Sequence, residues 1–227
     1  MYLNFIALDL SLNHLVILLG DTHKIIYKKK IIVKRDRAGL LFNSMQDIIN
    51  DLNLDLSSLD ILFSTIGPGN FNGIRVSLSL VKGFAISNNT KIHGLSSLEA
   101  ISRSFLNKDN KYILSIIKAS SDFYYIEWFN QLHKSIVPQK IININEKIEL
   151  PVPINDITLV GNDVQLLAEK INFLGEMYNV DSPSPESLFL SAKAAILSNS
   201  YIEPNPVYLR EVNAAKPSLW KKNPIVK

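Results

Sequence analysis

The sequence predicts an α/β fold in which mixed sheets are flanked by helices, arranged as two lobes with the second reduced. Three observations carry this expectation. Strand-like stretches stand together between Leu3 and Val33, and helical and strand-like patterns then alternate as far as Phe105. A second run of strands begins at Tyr112, beyond the polar turn Lys108–Lys111, so the boundary is placed between 1–107 and 108–227. A chain of 227 residues that is 47% apolar can bury a substantial core.

Leu3–Leu10 and Leu15–Leu19 read as two strands around the turn Ser11-Leu12-Asn13, and Ile25–Val33 as a third. Lys28, Lys29 and Lys30 fit a solvated edge strand, where charge discourages edge-to-edge pairing; RNA contact is the other reading of that run. Arg37–Leu52 is helical: Leu41, Met45, Ile48 and Leu52 share a face that Phe42 and Ile49 widen. Ile61–Ile66 is β-branched and aromatic over a strand-like length, and Gly67-Pro68-Gly69 must end it. A helix over residues 73–87 follows, with Asn72 as its expected N-cap. Lys91–Gly94 makes a short strand. Ser96 and Glu99 have capping-box spacing at the start of a helix to Phe105. In the second half, strands are expected at Tyr112–Ile117, Phe123–Phe129, Lys134–Ile142 and Ile157–Val160, with helices at Val164–Leu174 and from Pro185 to Leu197. No internal repeat is visible, and the basic tail with Lys216, Trp220, Lys221 and Lys222 reads as extended.

The 73–87 helix has two apolar faces. Ile74, Leu78, Val81 and Ala85 form one, and Val76, Leu80 and Phe84 the other, leaving Arg75, Ser79 and Lys82 for water. A sheet covers one such face; the second needs a neighbouring helix or a partner chain. The loop ahead of it is neither a P-loop, since Ile74 and Arg75 follow the last glycine, nor a dinucleotide fingerprint, since Gly67, Gly69 and Gly73 are spaced one residue too far. An anion cradle at a helix N-terminus and a tight turn packing backbone on backbone both stay open.

Gly67-Pro68-Gly69-Asn70-Phe71-Asn72-Gly73-Ile74-Arg75, with Lys82-Gly83-Phe84-Ala85 after it, resembles the G-P-G-S-F-T-G-[LV]-R…[KQ]-G-[LF]-A signature of the TsaB family. These are bacterial accessory proteins of tRNA threonylcarbamoyladenosine synthesis. The opening strand Phe5–Asp9 and the late Pro206-Val207-Tyr208-Leu209-Arg210, similar to the family's P-x-Y-L-R, agree in order. The likeness spans nearly the whole chain but is thin from Lys108 to Asn205. It implies a ribonuclease-H-like lobe of the sugar kinase, Hsp70 and actin superfamily, whose β-β-β-α-β-α-β-α order the first half matches.

The resemblance further implies a non-catalytic, cytoplasmic scaffold that pairs with the catalytic paralogue TsaD through its first two long helices and with the ATPase TsaE. That complex moves a threonylcarbamoyl group to A37 of tRNAs reading ANN codons. The isolated chain then needs no cofactor, ATP enters through TsaE, tRNA is met through the complex, and a homodimer forms by the same surface when the partner is missing. Leu41, Met45, Arg75, Leu78, Ser79, Val81 and Lys82 are the candidate interface residues. Two enzyme readings compete: an ATP-dependent transferase or phosphotransferase using Asp9 with Gly67, Gly69 and Gly73, and a peptidase acting on the paralogue.

The chemistry available to those rivals is thin. The turn Asp9-Leu10-Ser11-Leu12-Asn13 offers an aspartate but no glycine for close approach of a phosphate. His14, His23, His93 and His133 have no metal-binding spacing, so no metal site is expected, and no G-x-S-x-G elbow exists. Where the family often has a histidine early in the first long helix and an Asp-Ala-Arg-like triplet, Arg37 and Lys118-Ala119-Ser120 stand. The chain has no cysteine, which excludes disulfides and a thiolate nucleophile, and its net charge of +3 is too small to argue for nucleic acid by itself. Asn4, Asp9, Asn13 and His14 interrupt the apolar start, so neither a membrane span nor a signal peptide is expected.

Overall fold

The computed structural model describes residues 3–105 and 111–209. The basic tail, Arg210 and most of the expected boundary turn lie outside the described residues. Among the described residues two five-stranded sheets carry the fold. The first runs in the order β3-β2-β1-β4-β5, built from β1 (Phe5–Asp9), β2 (His14–Gly20), β3 (Ile25–Ile32), β4 (Ile61–Gly67) and β5 (Lys91–Ser96). Its hairpin strands pair antiparallel, and β1, β4 and β5 run parallel.

The second sheet has the order β10-β9-β6-β7-β8: β6 (Tyr112–Lys118), β7 (Phe123–Asn130), β8 (Ser135–Asn143), β9 (Ile157–Gly161) and β10 (Met177–Asn179). Its pairings repeat the first: β6–β7 and β7–β8 antiparallel, β6–β9 and β9–β10 parallel. The architecture is therefore duplicated, although the sequence shows no repeat. What recurs is the order of connections, which residues of different identity satisfy equally well.

Among the described residues five helices cover the sheets: α1 (Arg37–Asp51), α2 (Phe71–Asn88), α3 (Ser97–Ser102), α4 (Val164–Lys170) and α5 (Pro185–Ser198). Strand alternation decides which face each covers. Ile6 and Leu8 of β1 point to α1 and α2, joining Leu15, Ile17 and Leu62 in one core. Phe5 and Ala7 point the other way, onto Leu188, Phe189 and Ala192 of α5. On the second sheet Ile126 and Trp128 meet α4, while Ile113, Ile117 and Phe129 meet Leu98 and Ile101 of α3. The helices thus do not follow the division at 107/108: α3 belongs to the first half and packs on the second sheet, and α5 does the reverse.

Local chemistry explains the ends. Ser96 caps α3 by accepting from Glu99 N at 3.2 Å, and Pro185 stands in the first turn of α5 behind Ser184. The cap of α2 is Asn70, not Asn72; its Oδ1 accepts from Gly73 N at 2.9 Å, so the helix starts two residues earlier than expected. The lysines of β3 lie on a sheet edge and are tied to both flanking layers. Lys28 pairs with Glu186 of α5 and Lys29 with Asp47 of α1, contacts of at most ~1 kcal/mol each at such exposed sites.

Candidate functional site: the groove between the first two long helices

Helices α1 and α2 lie side by side on the first sheet, and their inner faces are spent on it. Leu41 and Met45 of α1 are each 1% exposed, and Leu78 and Val81 of α2 are 3% and 0% exposed, packed among Ile6, Leu8, Ile17 and Leu62. That placement corrects three of the sequence-derived interface candidates. Met45, Leu78 and Val81 face the core and do not line the space between the helices, because helical spacing groups residues by face without saying which face meets the sheet.

The outer faces leave a groove. It has a volume of about 460 Å³, Leu41 at its floor, Ala38 and Phe42 on one wall, and Arg75, Val76, Ser79 and Leu80 on the other. Phe42 is 58% exposed, and Val76, Leu80 and Phe84 are only half-buried. Ile86, further along the exposed side of α2, is 84% exposed. Arg75 and Ser79 stand exposed on the rim as expected, whereas Lys82 is half-buried and does not line the groove. Sequence spacing groups Phe42 with the core face that it would widen; its step from Leu41 instead places it a hundred degrees further round the helix, toward water.

Arg75 is held in place. Its guanidinium carbon sits 3.7 Å from the centre of the Phe71 ring, and its Nε donates to Tyr208 Oη at 2.9 Å. Val207 N donates to Ile66 O at 2.8 Å, so the late Pro206-Val207-Tyr208 segment is tied to the end of β4 and the start of α2. Two motifs far apart in the sequence thus form one structure, ending at the rim of the groove.

Behind the same helix start lie the other candidates. Asp9 is 0% exposed; its Oδ1 accepts from Ser11 Oγ at 2.6 Å, Ser11 N at 3.2 Å and Thr65 Oγ1 at 2.7 Å. Burial pushes its carboxyl up, against the pull of those hydrogen bonds. The glycine loop packs on this turn. Asn70 N donates to Ser11 O at 2.6 Å, and a Cβ on Gly73 would stand 1.9 Å from Leu10 O, on Gly69 2.3 Å from Ser11 O. Gly67, at φ +107°, turns the chain where a Cβ would press on Ile74 and Val207. Between the two open readings of this loop, the geometry is that of backbone packed on backbone. Leu12, the tip of the same turn, is buried against Leu98 and Ile117, and Arg37 Nη1 donates to Leu12 O at 2.9 Å. The Asp9–Asn13 turn is thus filled by leucine side chains, Leu10 in one core and Leu12 in another.

Among the described residues no group of three or more His, Asp or Glu side chains is arranged to hold a metal ion, and no helix is long and apolar enough to cross a membrane.

Comparison with known proteins decides the family. Residues 31–214 match the family model of TsaD, tRNA N6-adenosine threonylcarbamoyltransferase. The chain belongs to that family, in its TsaB group. The group follows from relatives called tRNA threonylcarbamoyladenosine biosynthesis protein TsaB. The one from Bacillus subtilis is 22% identical over 93% of this chain and 97% of its own length. The one from Buchnera aphidicola of Schizaphis graminum is 24% identical over 67% of this chain and 70% of its own. Two solved structures share the fold of this TsaB-group chain. YeaZ from Pseudomonas aeruginosa superposes with a TM-score of 0.77 at 19% identity, covering 91% of this chain and all of that one. A protein described as similar to peptidase YEAZ, from the same organism, gives 0.80 at 20% identity over 92% of this chain and all of its own.

Proposed function

We propose that this chain takes part in tRNA threonylcarbamoyladenosine synthesis as a cytoplasmic scaffold without chemistry of its own. It pairs a TsaD-like catalytic subunit with a TsaE-like ATPase for threonylcarbamoylation of A37 in tRNAs reading ANN codons. ATP enters through the ATPase, and tRNA is met through the assembled complex. The single observation that carries the reading is the α1–α2 groove. An apolar trough with a half-exposed phenylalanine on one wall and Val76 and Leu80 on the other is suited to receive the helices of a related subunit. In the absence of that subunit a second copy of this chain uses the same face.

The sealed Asp9 turn supports the accessory role over an ATP-dependent transferase. Asp9 has no exposure, its Oδ1 is held by three internal donors and its Oδ2 is buried without a partner, so the packed turn would have to open before a phosphate or metal could reach it. Reconstitution tests the reading. The purified chain alone should neither turn over ATP nor modify tRNA, and modification should appear on adding the TsaD-like and TsaE-like proteins of the same organism. Turnover by the chain alone, abolished by Asp9→Ala, would overthrow it.

A further inference from the structure

A second cavity, unrelated to the groove, opens between α3, the β7–β8 hairpin and α5, with a volume of about 530 Å³. It lies by the Asn130–Lys134 turn, at the opposite end of β7 from the Lys118–Phe123 turn of the same sheet. Its polar wall is made by a β-bulge. Ile126 pairs with Lys140 and Trp128 with Val137, so Pro138 and Gln139 together oppose Glu127. Glu127 projects on the side of β7 that faces α3, is 8% exposed, and lines the cavity beside Gln139, whose Oε1 is buried without a partner.

The charges around it do not neutralise Glu127. Arg103 of α3 is committed to Glu99, with Nε at 3.0 Å and Nη2 at 2.9 Å from the same Oε1. His133 on the hairpin has Nδ1 at 3.2 Å from Ser102 Oγ, and burial pushes its pKa down to about 4, so it is uncharged at neutral pH. Lys134 lines the cavity from an exposed position, and α5 brings only Ser191, Ser198 and alanines. The Ser135 hydroxyl is the neighbour that favours the ionised form of Glu127. The cavity is therefore lined by one uncompensated carboxyl and one glutamine whose carbonyl oxygen has no partner, between apolar walls that include Leu95, Phe129 and Ile202.

We propose that this cavity binds a small organic cation, a primary ammonium on an apolar body of a few carbons, held by the Glu127 carboxylate and Gln139 Oε1. An ammonium supplies the donor that Gln139 Oε1 lacks and the countercharge that Glu127 lacks, and its carbon body replaces water against Phe129 and Leu95. The site is independent of the pairing groove. It joins α3, α5 and the second sheet, so an occupant would bridge the layers between the two sheets.

The test is titration of the full-length, nitrogen-15-labelled chain with n-butylammonium chloride, followed by amide NMR shifts, with n-butanol and sodium butyrate as comparators. Saturable shifts confined to residues around Glu99, Glu127, Gln139 and Ala195 are expected, with about millimolar affinity, as five heavy atoms allow. Burial pushes Glu127 up to about 7, opposed by the Ser135 hydroxyl and reinforced by Glu99. Affinity should therefore be about tenfold weaker at pH 6 than at pH 8, because only the ionised fraction binds a cation. Glu127→Gln should abolish binding, and Gln139→Leu, a half-buried change that leaves the carboxyl in place, should weaken it severalfold. Equal shifts from butanol or butyrate, shifts without saturation, affinity independent of pH, or unchanged binding by either folded variant would overturn the proposal.

Discussion

Gly73 and Gly83 stand on the same helix, and the same substitution at each should move stability in opposite directions. A Cβ on Gly73 would lie 1.9 Å from Leu10 O and 3.0 Å from Leu10 C. The obstacle is backbone, so the start of α2 or the β1–β2 turn must retreat by about 1 Å to restore van der Waals contact. Neither yields easily: the turn is pinned by Asn70 N on Ser11 O at 2.6 Å, and Leu10 and Leu12 anchor it in two cores. Overpacking of this kind costs about 1–3 kcal/mol, or more where backbone must shift, and alanine's better helix propensity returns only about 1 kcal/mol. Gly73→Ala should therefore destabilise by about 2–3 kcal/mol. Gly83 is exposed, and a methyl added there would meet nothing within 4 Å, so Gly83→Ala should stabilise by about 0.5–1 kcal/mol. Urea unfolding reads both. With a slope of about 2–3 kcal/mol/M, Gly73→Ala lowers the midpoint by about 1 M while Gly83→Ala raises it slightly. A Gly73→Ala chain as stable as the parent would refute the close approach of loop and turn, and a destabilised Gly83→Ala chain would refute the open surface at Gly83.

Other expectations separate core from surface and one charge from another. Val81→Asp buries a carboxylate at a site with 0% exposure and should cost several kcal/mol, enough to unfold much of the chain, whereas half-buried Leu80→Asp should cost about 1–2 kcal/mol and act on pairing instead; circular dichroism and partner pull-down distinguish them. Glu127 is raised from 4.5 to about 7, chiefly by burial, so its contribution is complete below pH 4.5 and lost as pH rises to about 7. Relative to the parent, Glu127→Gln should gain up to about 3 kcal/mol over that window. His133 is lowered from 6.5 to about 4, again chiefly by burial, so its contribution is complete above pH 6.5 and lost as pH falls to about 4. His133→Asn, which suits the φ of +55° there, should gain stability as pH falls, and urea midpoints across the range check both signs. Arg75→Ala should loosen the Tyr208 clasp by about 0.5–1 kcal/mol, raising amide exchange at Val207 about twofold to fivefold while leaving Gly94 unchanged.

Most elements are legible in the sequence because their periods are clean. Buried β1 and β4 are nearly continuous apolar runs, and α1 and α2 repeat apolar residues at helical spacing. The shortest elements are not: β10 has three residues, all exposed, and exists only through its pairing with β9. Helix α4 stops at Lys170, four residues short of expectation, and Leu174 beyond it is 98% exposed. Sequence spacing shows that α2 has two apolar faces but cannot assign them, so it offers Leu78 and Val81 to a partner and passes over Val76 and Leu80. The Asp9 contacts illustrate the same limit. A short-range turn with Ser11 is foreseeable, but Thr65, fifty-six positions away, reaches it only because β4 lies beside β1.

The central claim is that the outer faces of α1 and α2 meet a catalytic relative. Its most direct measurement is the affinity of this chain for the TsaD-like protein of the same organism, by calorimetry, for the parent and for a Phe42→Asp, Leu80→Asp double variant shown to be folded. Truncating such anchors should cost at least about 2 kcal/mol, a loss of affinity of about thirtyfold or more, with unfolding cooperativity kept. A folded double variant that binds the relative as tightly as the parent would contradict it.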